Sequence, residues 1–214
     1  MADIDVKICG LTTAEAIEAA AHAGASHAGF MFYEPSPRNI RPREAPALAK
    51  HVPASMKRVG VFVEPDDSLL ERAIRAARLD IVQLHGDERP ERLKSIKARL
   101  DVDIWKAIPV STASDLERAR RYREDADLIL FDARTPKTSR LPGGMGIAFD
   151  WKLLNKYNHK TDWGLSGGLT PDTVAEAIAI TNAPLLDVSS GVESERGVKD
   201  PVKIAQFMEA VKAA

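Results

Sequence analysis

Cysteine is almost missing from this sequence: 214 residues contain one, Cys9. A single thiol closes no internal disulfide, which points to a reducing compartment and an expected cytoplasmic location. Excess charge of either sign is missing too. Lys and Arg number 30 against 31 Asp and Glu, a formal net charge of −1, so no basic surplus is there to displace counterions from a nucleic acid. No apolar run approaches the roughly 18 residues that a membrane-crossing helix needs. The opening MADIDVKICG lacks the basic and apolar stretches of a secretion leader, so none is expected. Linkers, low-complexity tracts and repeats are absent beyond one short recurring unit. Metal-ligand clusters, a dinucleotide glycine fingerprint with its acidic partner and a nucleophile elbow are absent as well, so neither metal nor cofactor is expected. The remainder, 44% hydrophobic and 29% charged, suits one globular domain spanning 1–214 with a full core.

The recurring unit is a strand followed by a helix. Short apolar, β-branched runs predict strands at 6–9, 27–32, 57–63, 81–85, 103–110, 128–133, 162–168 and 185–191. Helical patterns with start and stop signals lie between them. Thr12 and Glu15 have capping-box spacing, and Gly24 suits the stop of that helix. Thr170 with Pro171, and Asp200 with Pro201, read as N-cap and first helical position. Residues 66–79 and 89–100 are amphipathic at helical period, while 118–125 reads as a solvated, charged helix face with i,i+4 pairs. Eight strand signals alternating with eight helix signals imply an α/β fold, a single-domain (β/α)₈ barrel around a parallel eight-stranded sheet. An open doubly wound sheet would share the alternation.

In such a barrel the chemistry sits at the C-terminal ends of the strands. GLSGGL (164–169) and DVSSGVE (187–193) close strands seven and eight, where loops frequently form a phosphate site. Gly167 and Gly168 let backbone N–H groups approach an anion, Ser189 and Ser190 add hydroxyl donors, and Gly144 in the PGGMG run could add further amides. The plainer reading is that these glycines and serines only turn the chain. Lys7 and Cys9 share one face of the first strand, with Val6 and Ile8 on the other, so Lys7 and Cys9 should enter the barrel mouth. An ammonium there should favour the thiolate; otherwise Cys9 is a packed small hydrophobe. Asp132 emerges from the apolar run LILF, where a carboxyl group must be used, paired or protonated. That is the setting for a general acid or for a structural loop cap. Asp187, His85 and Arg38 complete the candidates for substrate binding together with Lys7. Asp187 could equally be structural, and His85 could be satisfied within the fold. Arg38 lies in a loop stiffened by Pro35, Pro37 and Pro42 and suits capture of a carboxylate or phosphate; Arg41 and Arg43 lie close by and could serve instead.

VKICGLT (6–12), SPR (36–38), VQLHG (82–86), FDA (131–133), PGGMGIAFDW (142–151), LSGGLTPDTV (165–174) and the LLDVSSGVE and GVKD elements occur in this order. Together they resemble the phosphoribosylanthranilate isomerase family over residues 6–212. The resemblance implies a (β/α)₈ barrel, a role in tryptophan biosynthesis and an Amadori rearrangement of N-(5-phosphoribosyl)anthranilate, with no cofactor. It assigns Cys9 as general base and Asp132 as general acid, and it puts the anthranilate carboxylate near Arg38. The phosphate would lie on Gly167, Gly168, Ser189 and Ser190, near Gly144. One departure is plain: the family's Gly-Gly-Thr-Gly is Gly143-Gly144-Met145-Gly146 here, and modest impairment is expected from the lost hydroxyl. The segment 133–149, the longest loop, is expected to act as a lid. The rival readings are another phosphate-binding barrel, such as a pentose-phosphate epimerase or a tryptophan synthase α subunit, and a ligand sensor without catalysis. Oligomeric state is not legible in the sequence.

Overall fold

The computed structural model describes residues 4–133, 149–157 and 160–214. Eight parallel strands form a closed barrel in chain order. They are β1 (Asp5–Cys9), β2 (His27–Met31), β3 (Lys57–Phe62), β4 (Ile81–Leu84), β5 (Asp103–Val110), β6 (Leu128–Ala133), β7 (Asp162–Ser166) and β8 (Leu185–Val188). Pairing of β8 with β1 closes the ring, which excludes the open doubly wound sheet. β7 and β8 end earlier than the sequence pattern implied. Gly167 and Gly168 take positive φ values of 88° and 73° and leave the extended region, while Ser190–Val192 turns into a short 3-10 helix.

Seven α-helices are present among the described residues, one fewer than the eight helical signals. They are α1 (Ala14–Ala23), α2 (Ala45–Ala49), α3 (Asp67–Ala77), α4 (Pro90–Arg99), α5 (Ala113–Ala119), α6 (Val174–Thr181) and α7 (Pro201–Ala213). The described part of the connection between β6 and β7 is a 3-10 helix, Trp151–Lys156. Two caps differ from expectation. Thr13, not Thr12, accepts the N–H of Ala16 at the start of α1, although Gly24 closes that helix at φ 92° as expected. Thr170 and Thr173 exchange hydrogen bonds in a turn of their own, which moves the start of α6 on to Val174. Asp200 caps α7 with Pro201 in its first turn. The charged run 118–125 is split by a 3-10 turn at Arg120–Tyr122, and its exposed pair, Arg120 with Glu117, is i,i+3.

Alternation along each strand divides the side chains into two layers. Outward residues such as Val6, Ile8, Phe30, Val82 and Ile104 join the helices in the larger core. Inward residues Val59, Ile81, Trp105, Ala107, Leu128, Leu130 and Leu185 fill the lower barrel. Gly164 belongs to that packing, since a Cβ there would lie 2.6 Å from Leu185 Cδ2. Above this apolar filling several inward positions towards the C-terminal ends of the strands are polar, Lys7, Gln83 and Asp187 among them.

Candidate active site

Lys7 and Asp187 are register partners on β1 and β8. Both are buried at the barrel mouth, with Lys7 Nζ 3.0 Å from Asp187 Oδ2 and donating to Gln83 Oε1 at 2.7 Å. Burial works against the Lys7 charge, but the Asp187 carboxylate and the Cys9 thiol beside it prevail and hold its pKa above the ordinary value. Cys9 is 6% exposed and pairs in register with Gly29. A Cβ on residue 29 would stand 2.9 Å from Cys9 Cα and 3.2 Å from its sulfur, so the glycine makes room for the thiol. The expected fall in the Cys9 pKa is corrected. Burial pushes the thiol up by more than Lys7 and Lys199 pull it down, and Asp187 adds to the rise.

Across the mouth, Asp132 is buried at the end of β6, where its Oδ1 accepts the N–H of Ala133 at 2.8 Å. Its Oδ2 lies 3.2 Å from His85 Nε2 without hydrogen-bond alignment. Gly167 packs directly beneath this group, and a Cβ there would be 2.5 Å from Ala133 N and 3.0 Å from Asp132 Oδ1. Asp187 Oδ1 is buried and has no hydrogen-bond partner among the described residues. Burial raises the Asp187 pKa, Lys7 opposes the rise, and Asp132 adds to it. Thiol, ammonium and two carboxyl groups from β1, β6 and β8 thus surround one opening.

Arg38 reaches the same opening from the loop after β2, its Cδ over Gly10. Its guanidinium grips Glu193 in a bidentate pair, Nε to Oε1 at 2.6 Å and Nη2 to Oε2 at 2.8 Å. Glu193 opens the hairpin of β9 (Glu193–Glu195) and β10 (Val198–Lys199), which follows β8. Arg41 instead pairs with Glu44 on the surface, and Arg43 is exposed, which leaves Arg38 as the one of these three that is buried. Lys199 Nζ also holds Glu193, at 2.5 Å, and donates to the Ser189 carbonyl at 3.1 Å. Burial alone would raise the Glu193 carboxyl; Arg38, Lys199 and the Gly197 N–H overcome this and hold it at about 2.

The loops proposed for phosphate do meet. A Cβ on Gly191 would fall 1.9 Å from Leu169 O, so the turns after β7 and β8 touch at backbone distance. Gly167, Gly168, Ser189 and Ser190 are half-buried at this edge of the mouth. The Ser189 hydroxyl is already engaged, donating to Cys9 O at 3.0 Å. Gly144, and the lid expected for 133–149 beyond its terminal residues, lie outside the described residues. Among the described residues no group of three or more His, Cys, Asp or Glu side chains is placed to hold a metal ion, and no helix is long and apolar enough to cross a membrane.

A family model described as N-(5'phosphoribosyl)anthranilate (PRA) isomerase matches residues 6–210. The chain belongs to this family. Its relatives named N-(5'-phosphoribosyl)anthranilate isomerase include one from Zymomonas mobilis subsp. pomaceae, 50% identical over 210 residues and covering 98% of each chain. Another, from Rhodospirillum rubrum, is 45% identical with 99% of each chain covered. The solved phosphoribosyl anthranilate isomerase of Thermotoga maritima is 36% identical and superposes with a TM-score of 0.87 over 99% of this chain and 100% of its own. A further solved phosphoribosyl anthranilate isomerase, 35% identical with a TM-score of 0.84 over 99% of this chain and 100% of its own, holds reduced 1-(O-carboxyphenylamino)-1-deoxyribulose 5-phosphate.

Within this isomerase frame, three polar residues, Gln83, Glu193 and Lys199, stand outside the candidates that the sequence offered for substrate. Gln83 was visible as a strand-end residue, but its inward parity with Lys7 was the signal for their contact. Glu193 and Lys199 lie in the quoted GVE and GVKD elements, yet nothing local ties them to Arg38. A fourth residue, Lys106, is buried behind the barrel wall. Its Nζ reaches Glu88 Oε2 at 3.1 Å and Gly86 O at 2.7 Å, and Glu88 Oε1 takes the N–H groups of Glu64 and Gly86. That pair ties down the turn that carries His85.

Proposed function

We propose that this chain isomerises N-(5'-phosphoribosyl)anthranilate, an aminoaldose, to the aminoketose 1-(2-carboxyphenylamino)-1-deoxyribulose 5-phosphate, with Cys9 and Asp132 as its proton-transfer pair. The observation that carries this reading is that Cys9 and Asp132, buried towards the C-terminal ends of β1 and β6, both bear on the Lys7–Asp187 pair, Cys9 on Lys7 and Asp132 on Asp187. Asp132 gives its proton to the furanose ring oxygen, and the ring opens to a protonated Schiff base. The Cys9 thiolate then removes the C2′ proton, and the resulting enolamine tautomerises to the ketone. Every electron pair stays within the substrate, so no external oxidant or group acceptor enters. Each proton transfer contributes about 10²–10⁴ in rate.

The other candidates take binding roles. Arg38, held in place by Glu193, lies nearest the anthranilate carboxylate. Asp187 Oδ1, an orphaned acceptor, takes a hydrogen bond from a sugar hydroxyl. Lys7 holds Asp187 in place and His85 steadies Asp132. The phosphate rests on the amides of Gly167 and Gly168 and of the Ser189-Ser190 turn, with Gly144 closing over it. A single barrel domain in the cytoplasm, acting on a small molecule and binding neither nucleic acid nor membrane, fits the lone thiol and the balanced charge.

The test generates the substrate in place from anthranilate and phosphoribosyl pyrophosphate with the transferase and follows its loss by fluorescence. Rapid loss with wild type and a drop of at least about 10²-fold in both Cys9→Ser and Asp132→Asn are expected. Full turnover by Cys9→Ser would return the thiol to a packing role. A folded wild type with no turnover would end the isomerase reading.

A further inference from the structure

The charges around the thiol do not cancel in pairs. Lys7 on β1 is matched by Asp187 on β8, and Arg38 is matched by Glu193. Lys199 on β10 shares that same Glu193, so two cations divide one carboxylate. Lys199 is 7% exposed. Burial holds its pKa below the ordinary value, with the Arg38 charge assisting; Glu193 and Cys9 oppose the fall without reversing it. Lys199 is also joined to the thiol's own backbone, since its Nζ is 3.2 Å from Ser189 Oγ and that hydroxyl donates to Cys9 O. The groups that bear on Cys9 are therefore Lys7 from its own strand, Asp187 from β8 and Lys199 from β10. Asp132 and His85 act from the far side through Asp187.

We propose that Lys199 is a positioning residue for the isomerisation: with Arg38 it puts two cations on the single carboxylate of Glu193, which leaves positive charge beside the thiol, and through Ser189 it holds the β8 turn against Cys9. This rests on the reading of Cys9 as the base. A thiol buried beside a neutral ion pair stays protonated, because desolvation penalises only the charged form. Lys199 adds a second positive charge at Glu193, which favours the thiolate. The same charge serves a substrate that brings a carboxylate and a phosphate to this opening. Lys7 pulls the thiol down more strongly, but Asp187 in direct contact with Lys7 pushes it back up, and Lys199 adds to the downward pull.

Cys9 is the only cysteine, so its ionisation can be read without substrate from the ultraviolet absorbance of the thiolate, as the difference from a Cys9→Ser chain in the same background. Lys199→Met is expected to move the midpoint up by about one pH unit, the size of effect expected for loss of a nearby opposite charge. The acidic limb of the kcat/KM profile should move with it, costing about tenfold in rate below the limb. Lys199→Arg should restore both, and Lys199→Gln should repeat the shift if the Met variant folds poorly. A midpoint shared by wild type, Lys199→Met and Lys199→Gln overturns the proposal, however active the wild type is. A lowered plateau with an unmoved limb does the same, because it is the mark of a structural defect alone. A shifted midpoint in a chain that never turns the substrate over instead overturns the isomerase reading on which the role depends.

Discussion

Acid should weaken this barrel from the inside, and His27 is where it acts. The imidazole lies in the lower barrel with its ring centroid 5.1 Å from that of Trp105 and its Nδ1 2.8 Å from Ser26 Oγ. Burial lowers its pKa from the usual 6.5 to about 4, with Asp5 opposing and Lys7 and Lys57 assisting. The folded chain therefore resists a proton that the unfolded chain accepts. Stability is complete above the unfolded value and is lost as pH falls from about 6.5 towards 4. Each unit of separation is worth about 1.4 kcal/mol, so the full difference is about 3 kcal/mol, of which about 2 kcal/mol is lost between pH 7.5 and 5. Glu193, held at about 2, titrates mostly below that window. Its own contribution is kept above about 4.5 and lost only as pH falls further. Urea unfolding of wild type and His27→Gln at both pH values isolates the imidazole, because the other groups are common to the two chains. The wild type should lose about 2 kcal/mol more than the variant over this interval. Parallel losses would refute the argument and put the His27 proton affinity back at its solution value.

Two substitutions test the packing that supports the site. Gly29→Ala sets a methyl group 2.9 Å from the Cys9 backbone and 2.9 Å from Lys7 Cε, and overpacking of this kind costs about 1–3 kcal/mol. Displacing the thiol by a fraction of an ångström should also cut turnover, by up to about 10²-fold; unchanged melting and unchanged rate together would show that Gly29 is not what seats the thiol. Lys106→Met leaves Glu88 buried without its cation and should cost about 3–5 kcal/mol in urea unfolding. A loss under about 1 kcal/mol would mean that the backbone N–H groups of Glu64 and Gly86 suffice for that carboxylate.

The sequence by itself determined the ladder of strands and helices, because alternation and helical period are local properties set within a few residues. It also determined which side of β1 faces inward, since Lys7 and Cys9 are two positions apart whatever surrounds them. From the same local logic came the candidates at the strand ends, Asp132, His85, Asp187 and the glycine turns after β7 and β8. Cap positions were legible only to within a few residues, as Thr13 and Thr173 show, because more than one threonine lies within reach of each helix start. Tertiary structure alone decided what these groups do to one another. Arg38 and Glu193 are separated by 155 residues, and Lys7 and Asp187 by 180; no spacing rule joins them, and only barrel closure does. It also decided the sign of the Cys9 shift. Coulomb attraction to Lys7 can be guessed from two letters of sequence, but desolvation is the work of the whole enclosing wall, and here it is the larger effect.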